Sequence, residues 1–189
     1  MTSFAPEAAL GAEVHRERRL ALDRSVAACF AIACTLHVGL GAAGLLVGAV
    51  AFVLVELAAV DLERRVLPNA IVLPATLVVL VARVALEPSK YLEWIVAGSL
   101  AAVFLLLPTL VRRDAVGMGD VKLGLLLGVT LGPLVAAAFT IGLCAAGAVA
   151  VLLVLSRGRS ALKETIPLGP FLAGGAIVAI LLSAPSALS

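Results

Sequence analysis

Aromatic residues are scarce in this chain, 4% of the whole, with a single Trp and a single Tyr. Membrane proteins often carry Trp and Tyr girdles at both interfaces. Two girdles cannot be built from so few, so Tyr91 and Trp94 are expected to mark one interface only. Charge is scarce too: 14% of residues are Asp, Glu, Lys or Arg, against about 25% in ordinary soluble domains. The net charge of +2 is too small to point to a nucleic-acid partner. There are three cysteines: Cys29, Cys34 and Cys144. None stands in a C-x-x-C pair, so a zinc site has no support, and each lies in an apolar run where it reads as a small buried hydrophobe. No metal or other cofactor is expected. The first 24 residues lack the early apolar region of a secretory signal and carry Arg16, Arg18, Arg19 and Arg24. They are expected to form a cytoplasmic basic tail (1–24), with residues 25–189 making up the membrane domain.

Apolar sequence dominates instead. Hydrophobic residues make up 62% of the 189 and the mean hydropathy is +1.17, well above the roughly 45–50% apolar content of soluble domains. The chain reads as an all-α membrane protein. A spanning helix needs roughly 20 apolar residues. Ser25–Val60 is long enough for two short spans, with a turn at Gly39, Gly41 and Gly44. The charged stretch Asp61–Asn69 follows as a loop. Ala70–Leu86 and Tyr91–Leu110 are the third and fourth spans, joined by Glu87–Lys90. Val121–Leu155 again holds two, broken near Gly132-Pro133, and Ile166–Leu182 is the last. With the amino terminus inside, these seven spans put 12 of the 14 basic residues on the cytoplasmic side and only Arg83 and Lys90 outside. That is the bias expected of cytoplasmic loops, and it leaves the carboxyl terminus outside.

In this arrangement Asp61 and Asp120 both lie at the cytoplasmic ends of apolar stretches, where a charge is costly and a functional role is the first reading. Two carboxylates brought close resist double ionisation, so one keeps a proton while the other is free to act as a base. Such a pair can activate water and protonate a leaving amine. Gly117 and Gly119 flank Met118 just before Asp120 and permit backbone geometries closed to other residues. Gly124, Gly128 and Gly132 continue from Asp120 at four-residue spacing. Small-residue stripes of this kind let membrane helices approach closely, and this one is expected to bring the helix bearing Asp61 close to Asp120.

The segment Gly117-Met118-Gly119-Asp120-Val121-Lys122 resembles the GxGD signature of the type IV prepilin peptidases, a family of membrane aspartyl proteases. Asp61, followed by Pro68-Asn69, is similar to that family's first aspartate with its downstream Pro-Asn, and Ile166-Pro167-Leu168-Gly169-Pro170-Phe171 is similar to its late Ile-Pro-Phe-Gly-Pro-Phe segment. The resemblance implies a peptidase of the inner (cytoplasmic) membrane with Asp61 and Asp120 as the catalytic pair. Gly117, Gly119, Lys122, Pro68 and Asn69 become supporting motif positions, and a prepilin or pseudopilin becomes the substrate. Bifunctional members carry a cysteine-bearing cytoplasmic region near the early spans. This sequence shows none, so the resemblance is to the peptidase-only branch, without N-methylation.

Two other classes compete with that reading. A proton- or cation-coupled transporter would also use intramembrane acids such as Glu56, although the two halves show no internal repeat. An inactive scaffold of a pilus assembly would not need both aspartates. Glu56 lies five residues before Asp61, about 140° around a regular helix, and is expected to make an interhelical contact rather than join the pair. His37 is expected to pack. Asp114, Glu63, Arg64 and Arg65 read as solvated loop charges.

Overall fold

The computed structural model describes residues 5–64, 69–111, 117–158, 167–184 and 188, with side chains from Leu22 onward. Among them are seven α-helices and no strand: α1 (Ala5–Val38), α2 (Ala42–Arg64), α3 (Asn69–Leu86), α4 (Tyr91–Val111), α5 (Met118–Leu131), α6 (Val135–Arg157) and α7 (Gly169–Leu182). Three helical stretches are long and apolar enough to cross a membrane: Ala42–Glu63, Pro88–Leu110 and Met118–Arg157. The last is divided by a turn of 3₁₀ helix, Gly132–Leu134. Ala70–Leu86 and Gly169–Leu182 are apolar but shorter.

The breaks follow local chemistry. Gly39 ends α1 with φ +119° and Gly132 ends α5 with φ +57°, a region that side-chain-bearing residues enter only with strain. Pro133 follows, and its missing N–H prevents α5 from continuing unbroken. Two boundaries differ from the sequence reading. The basic stretch before Ser25 is helical from Ala5 and continuous with α1, and Asp61 lies inside α2, which runs on to Arg64. Helix geometry carries through the charges at the end of α2 because Arg, Glu and Leu are good helix formers and no Gly or Pro lies between Gly48 and Arg64.

Contacts fix the helix directions. Thr35 meets Gly48, and Gly39 meets Gly44, so α1 and α2 are antiparallel. Gly142 lies against Phe171, and Gly175 against Ala138, so α6 and α7 are antiparallel as well. Phe139 touches the open face of Gly124, which shows that α6 folds back beside α5. The helices therefore alternate in direction, and the start of α5, the end of α2 and the start of α7 share one end of the bundle. The core joining them is aliphatic, with Leu54, Leu57, Leu123, Leu126, Leu127, Leu172 and Ile180 all at most 2% exposed.

The opposite end is tied by a polar knot. Arg83 is 1% exposed. It donates to the carbonyls of Leu188 and Thr130, both at 2.7 Å, and its guanidinium lies 4.5 Å from the Trp94 ring centroid. Trp94 is thus buried against Arg83 and Gly132 rather than spread at an interface, since a guanidinium stacks well on an indole face. Nearby, His37 Nε2 donates to the Ser183 carbonyl at 2.8 Å. Cys34 is buried, but Cys29 and Cys144 are exposed on the outer face of their helices. An apolar run does not distinguish a core position from an outward one where the surroundings are themselves apolar.

Candidate active site

Helix α2 presents Asp61 three residues before its end, and the side chain is buried. Helix α7 approaches it end-on. The first N–H groups of a helix have no partner within the helix, and Pro170 has no N–H to offer. The Gly169 N–H is free for another acceptor and donates to Asp61 Oδ2 at 3.1 Å. A Cβ on Gly169 would lie 2.6 Å from that oxygen and 3.1 Å from the carboxyl carbon. Only glycine allows the carboxylate to sit there.

Asp120 stands in the first turn of α5. Gly117 precedes the helix in extended conformation (φ −66°, ψ 141°), and its carbonyl accepts from the Asp120 N–H at 3.0 Å. The Asp120 side chain folds back over this helix start, where it interacts with the Gly117 amide. A Cβ on Gly117 would sit 3.4 Å from Oδ2. Asp120 Oδ1 is buried and has no hydrogen-bond partner among the described residues. Asp61 and Asp120, from separate helices, lie at the same end of the bundle, near enough for the charge of one to act on the other. Buried oxygens without partners are uncommon because they cost about 1–3 kcal/mol. Asp120 Oδ1 therefore keeps an unused acceptor position. Among the described residues no cluster of three or more His, Cys, Asp or Glu side chains is present.

Gly119 and Lys122 are partly buried on the first turns of α5. Asn69 is the first residue of α3, its side chain outside the described set. Pro68 lies outside the described residues, as do Arg65 and Asp114. Glu56 Oε1 is buried but has no hydrogen-bond partner among the described residues, so the interhelical hydrogen bond expected there is not made at that oxygen.

The glycine stripe does not do what the sequence suggested. Gly128 lies against Ala97 and Gly98, Gly124 against Ala101 and Leu105, and Gly132 against Trp94. The stripe seats α4, not α2. Each four-residue step advances about 40° beyond a full turn, so the glycines rotate away from Asp120 as the helix proceeds. Asp61 is instead brought in by α7, which packs on α2 and also touches α5. Gly169 is the contributor that the sequence reading placed in a motif segment without naming it as a site residue. Its signal was the Pro167-Leu168-Gly169-Pro170 helix start, which leaves one amide free.

A sequence profile of the type IV leader peptidase family matches residues 48–154, which include both aspartates. The chain belongs to that family. No curated protein and no solved structure matches it. As a type IV leader peptidase family member, it is a peptidase, and a prepilin-type substrate is implied. Family membership does not favour the transporter reading of its intramembrane acids. The matched stretch stops before α7, yet in this family member the start of α7 supplies the backbone donor to Asp61.

Proposed function

We propose that this peptidase is a membrane aspartyl endopeptidase that removes the short leader of type IV prepilins or pseudopilins, with Asp61 and Asp120 as its catalytic pair. The observation that carries the reading is the placement of Asp61 and Asp120 at one end of the bundle, with Asp61 held by the Gly169 N–H and Asp120 Oδ1 an unused acceptor. In this mechanism one carboxyl group holds a proton and the other is ionised. The ionised group takes a proton from water as the water oxygen attacks the scissile carbonyl, and the protonated group donates to the departing amine. The pair titrates as a unit. No covalent intermediate is formed. Gly117, Gly119, Lys122, Pro68 and Asn69 are supporting motif positions, with no chemical step assigned to them.

All seven helices cross the inner membrane in this reading, with the amino-terminal tail (1–24) in the cytoplasm, residues 25–189 as the peptidase domain and the carboxyl terminus outside. Its support is the alternation of helix direction together with the charge. Arg24, Lys122 and Arg157 lie at the same end as Asp61, whereas Arg83 and Lys90 lie at the other, and basic residues favour the cytoplasmic side. The pair then faces the cytoplasm at the bilayer edge. There a leader can be extended for cleavage while water satisfies its backbone.

The test is cleavage of a model prepilin by purified wild-type peptidase, with the new amino terminus read by mass spectrometry. A cut directly after the leader's terminal glycine is expected. An intact substrate, or a cut within the apolar helix, would contradict the proposal.

A further inference from the structure

A cavity of about 690 Å³ lies between α4 and α6, and neither Asp61 nor Asp120 lines it. Its walls include Leu100, Phe104 and Leu107 of α4 and Ala136 and Thr140 of α6. Leu100, Phe104 and Leu107 are each at least half exposed, so the cavity is a groove open along the outer face of the bundle. Phe104 at its rim and Phe139 at its depth have ring centroids 5.8 Å apart. Glu93 marks one end and Leu107 lies toward the other, a length of about 21 Å along a helix.

The packing of α4 on α5 shows where the groove leads. Gly132 meets Trp94, Gly128 meets Ala97 and Gly98, and Gly124 meets Ala101 and Leu105. One further turn of this antiparallel register sets Asp120 level with Leu106 and Leu107. Ala101 and Phe139, both groove residues, touch the open face of Gly124, one turn from Asp120. The groove therefore descends from the end bearing the Arg83 knot to the depth of the carboxyl pair.

We infer that this α4–α6 groove receives the apolar membrane helix of the substrate, in the orientation that sets the leader junction at the depth of Asp120. The inference rests on the leader-peptidase reading. A helix seated here ends its apolar stretch level with the pair, and the extended leader beyond it reaches the carboxyl groups. The groove offers no charged side chain except Glu93 at its far end, which suits an uncharged helix and excludes the polar leader.

Two substitutions that fill the groove, Ala136→Trp and Thr140→Trp, test this. Both positions are exposed. Purified variants are compared with wild type on a full-length membrane-embedded prepilin and on a short peptide holding the leader and only a few residues beyond the cut. The groove predicts a rise in KM of about tenfold or more for the full-length substrate with kcat kept, the signature of lost ground-state binding, and unchanged kcat/KM on the short peptide. Full-length cleavage unaffected in both variants overturns the inference, and so does equal loss on both substrates. A second measurement needs no turnover. A photo-crosslinking residue is placed at Ala136 in the Asp120→Asn background, with Leu36 on α1 as the control site. Crosslinking to the substrate's apolar helix from position 136 and not from 36 is expected, and equal or absent crosslinking overturns the groove. If wild type cleaves neither substrate, the leader-peptidase reading fails, while the crosslink still decides the groove.

Discussion

Asp61 Oδ2 accepts a hydrogen bond from the Gly169 backbone N–H at 3.1 Å, although 108 residues separate the two in the chain. This bond joins the end of α2 to the start of α7 and holds one face of the carboxylate in place. The other member of the pair, Asp120, arrives from the start of α5. Three helix ends thus converge on one site, and the orientation of Asp61 depends on a residue with no side chain.

Gly169→Ala is expected to lower cleavage about 100-fold, the scale of loss that follows a displacement of about 1 Å in a catalytic group. The added Cβ would meet Asp61 Oδ2 at 2.6 Å and must push the carboxylate away. Gly174→Ala, on the same helix with nothing within 4 Å, should cleave like wild type. Steady-state rates on a model prepilin separate the two, and equal activity in both variants would remove Gly169 from the site.

Gly128→Ala is expected to destabilise the fold by about 1–3 kcal/mol, the usual cost of overpacking. Its Cβ would lie 2.5 Å from the Ala97 carbonyl oxygen and the Gly98 Cα, and backbone atoms cannot swing aside. Gly147→Ala, in open space, should stay within about 0.5 kcal/mol of wild type. Thermal unfolding in detergent provides the comparison.

Arg83→Met should cost on the order of 2–4 kcal/mol, because two buried carbonyls lose a charged donor. Trp94 loses its stacking partner at the same time. The knot lies at the end away from Asp61 and Asp120, so kcat/KM of the folded protein should be unchanged. A fall in kcat/KM at full stability would contradict this placement.

Orientation is open to a direct test. In a variant with Cys29, Cys34 and Cys144 replaced by Ala, Ser89→Cys is expected to react with a membrane-impermeant maleimide added outside intact cells. Ser156→Cys is expected to react only after the cells are opened. The reverse pattern would turn the site away from the cytoplasm.

The sequence was most readable where a residue's own backbone chemistry decides the outcome. Gly39 and Gly132 turn the chain where expected, and the long apolar segments become helices with Asp61 and Asp120 at the same end of the bundle. It was least readable where the answer depends on which neighbour a face meets. The stripe Gly124, Gly128 and Gly132 was visible, but its partner α4 was not, since spacing describes one helix and says nothing of the next. Arg83 was read only as one of two basic residues on the outside, because its acceptors, Thr130 and Leu188, are backbone carbonyls far along the chain. Trp94 followed Arg83 inward. Gly169 was legible only as part of a helix start, because a backbone amide leaves no trace in residue type.

The most direct test of the central claim is a gel-shift assay of a model prepilin with membranes holding wild type, Asp61→Asn or Asp120→Asn at matched expression. Each substitution keeps the side chain's shape and removes its ability to ionise. The account predicts that wild type shortens the prepilin by its leader while neither variant does so. Substantial cleavage by either variant would contradict a mechanism in which Asp61 and Asp120 together activate water.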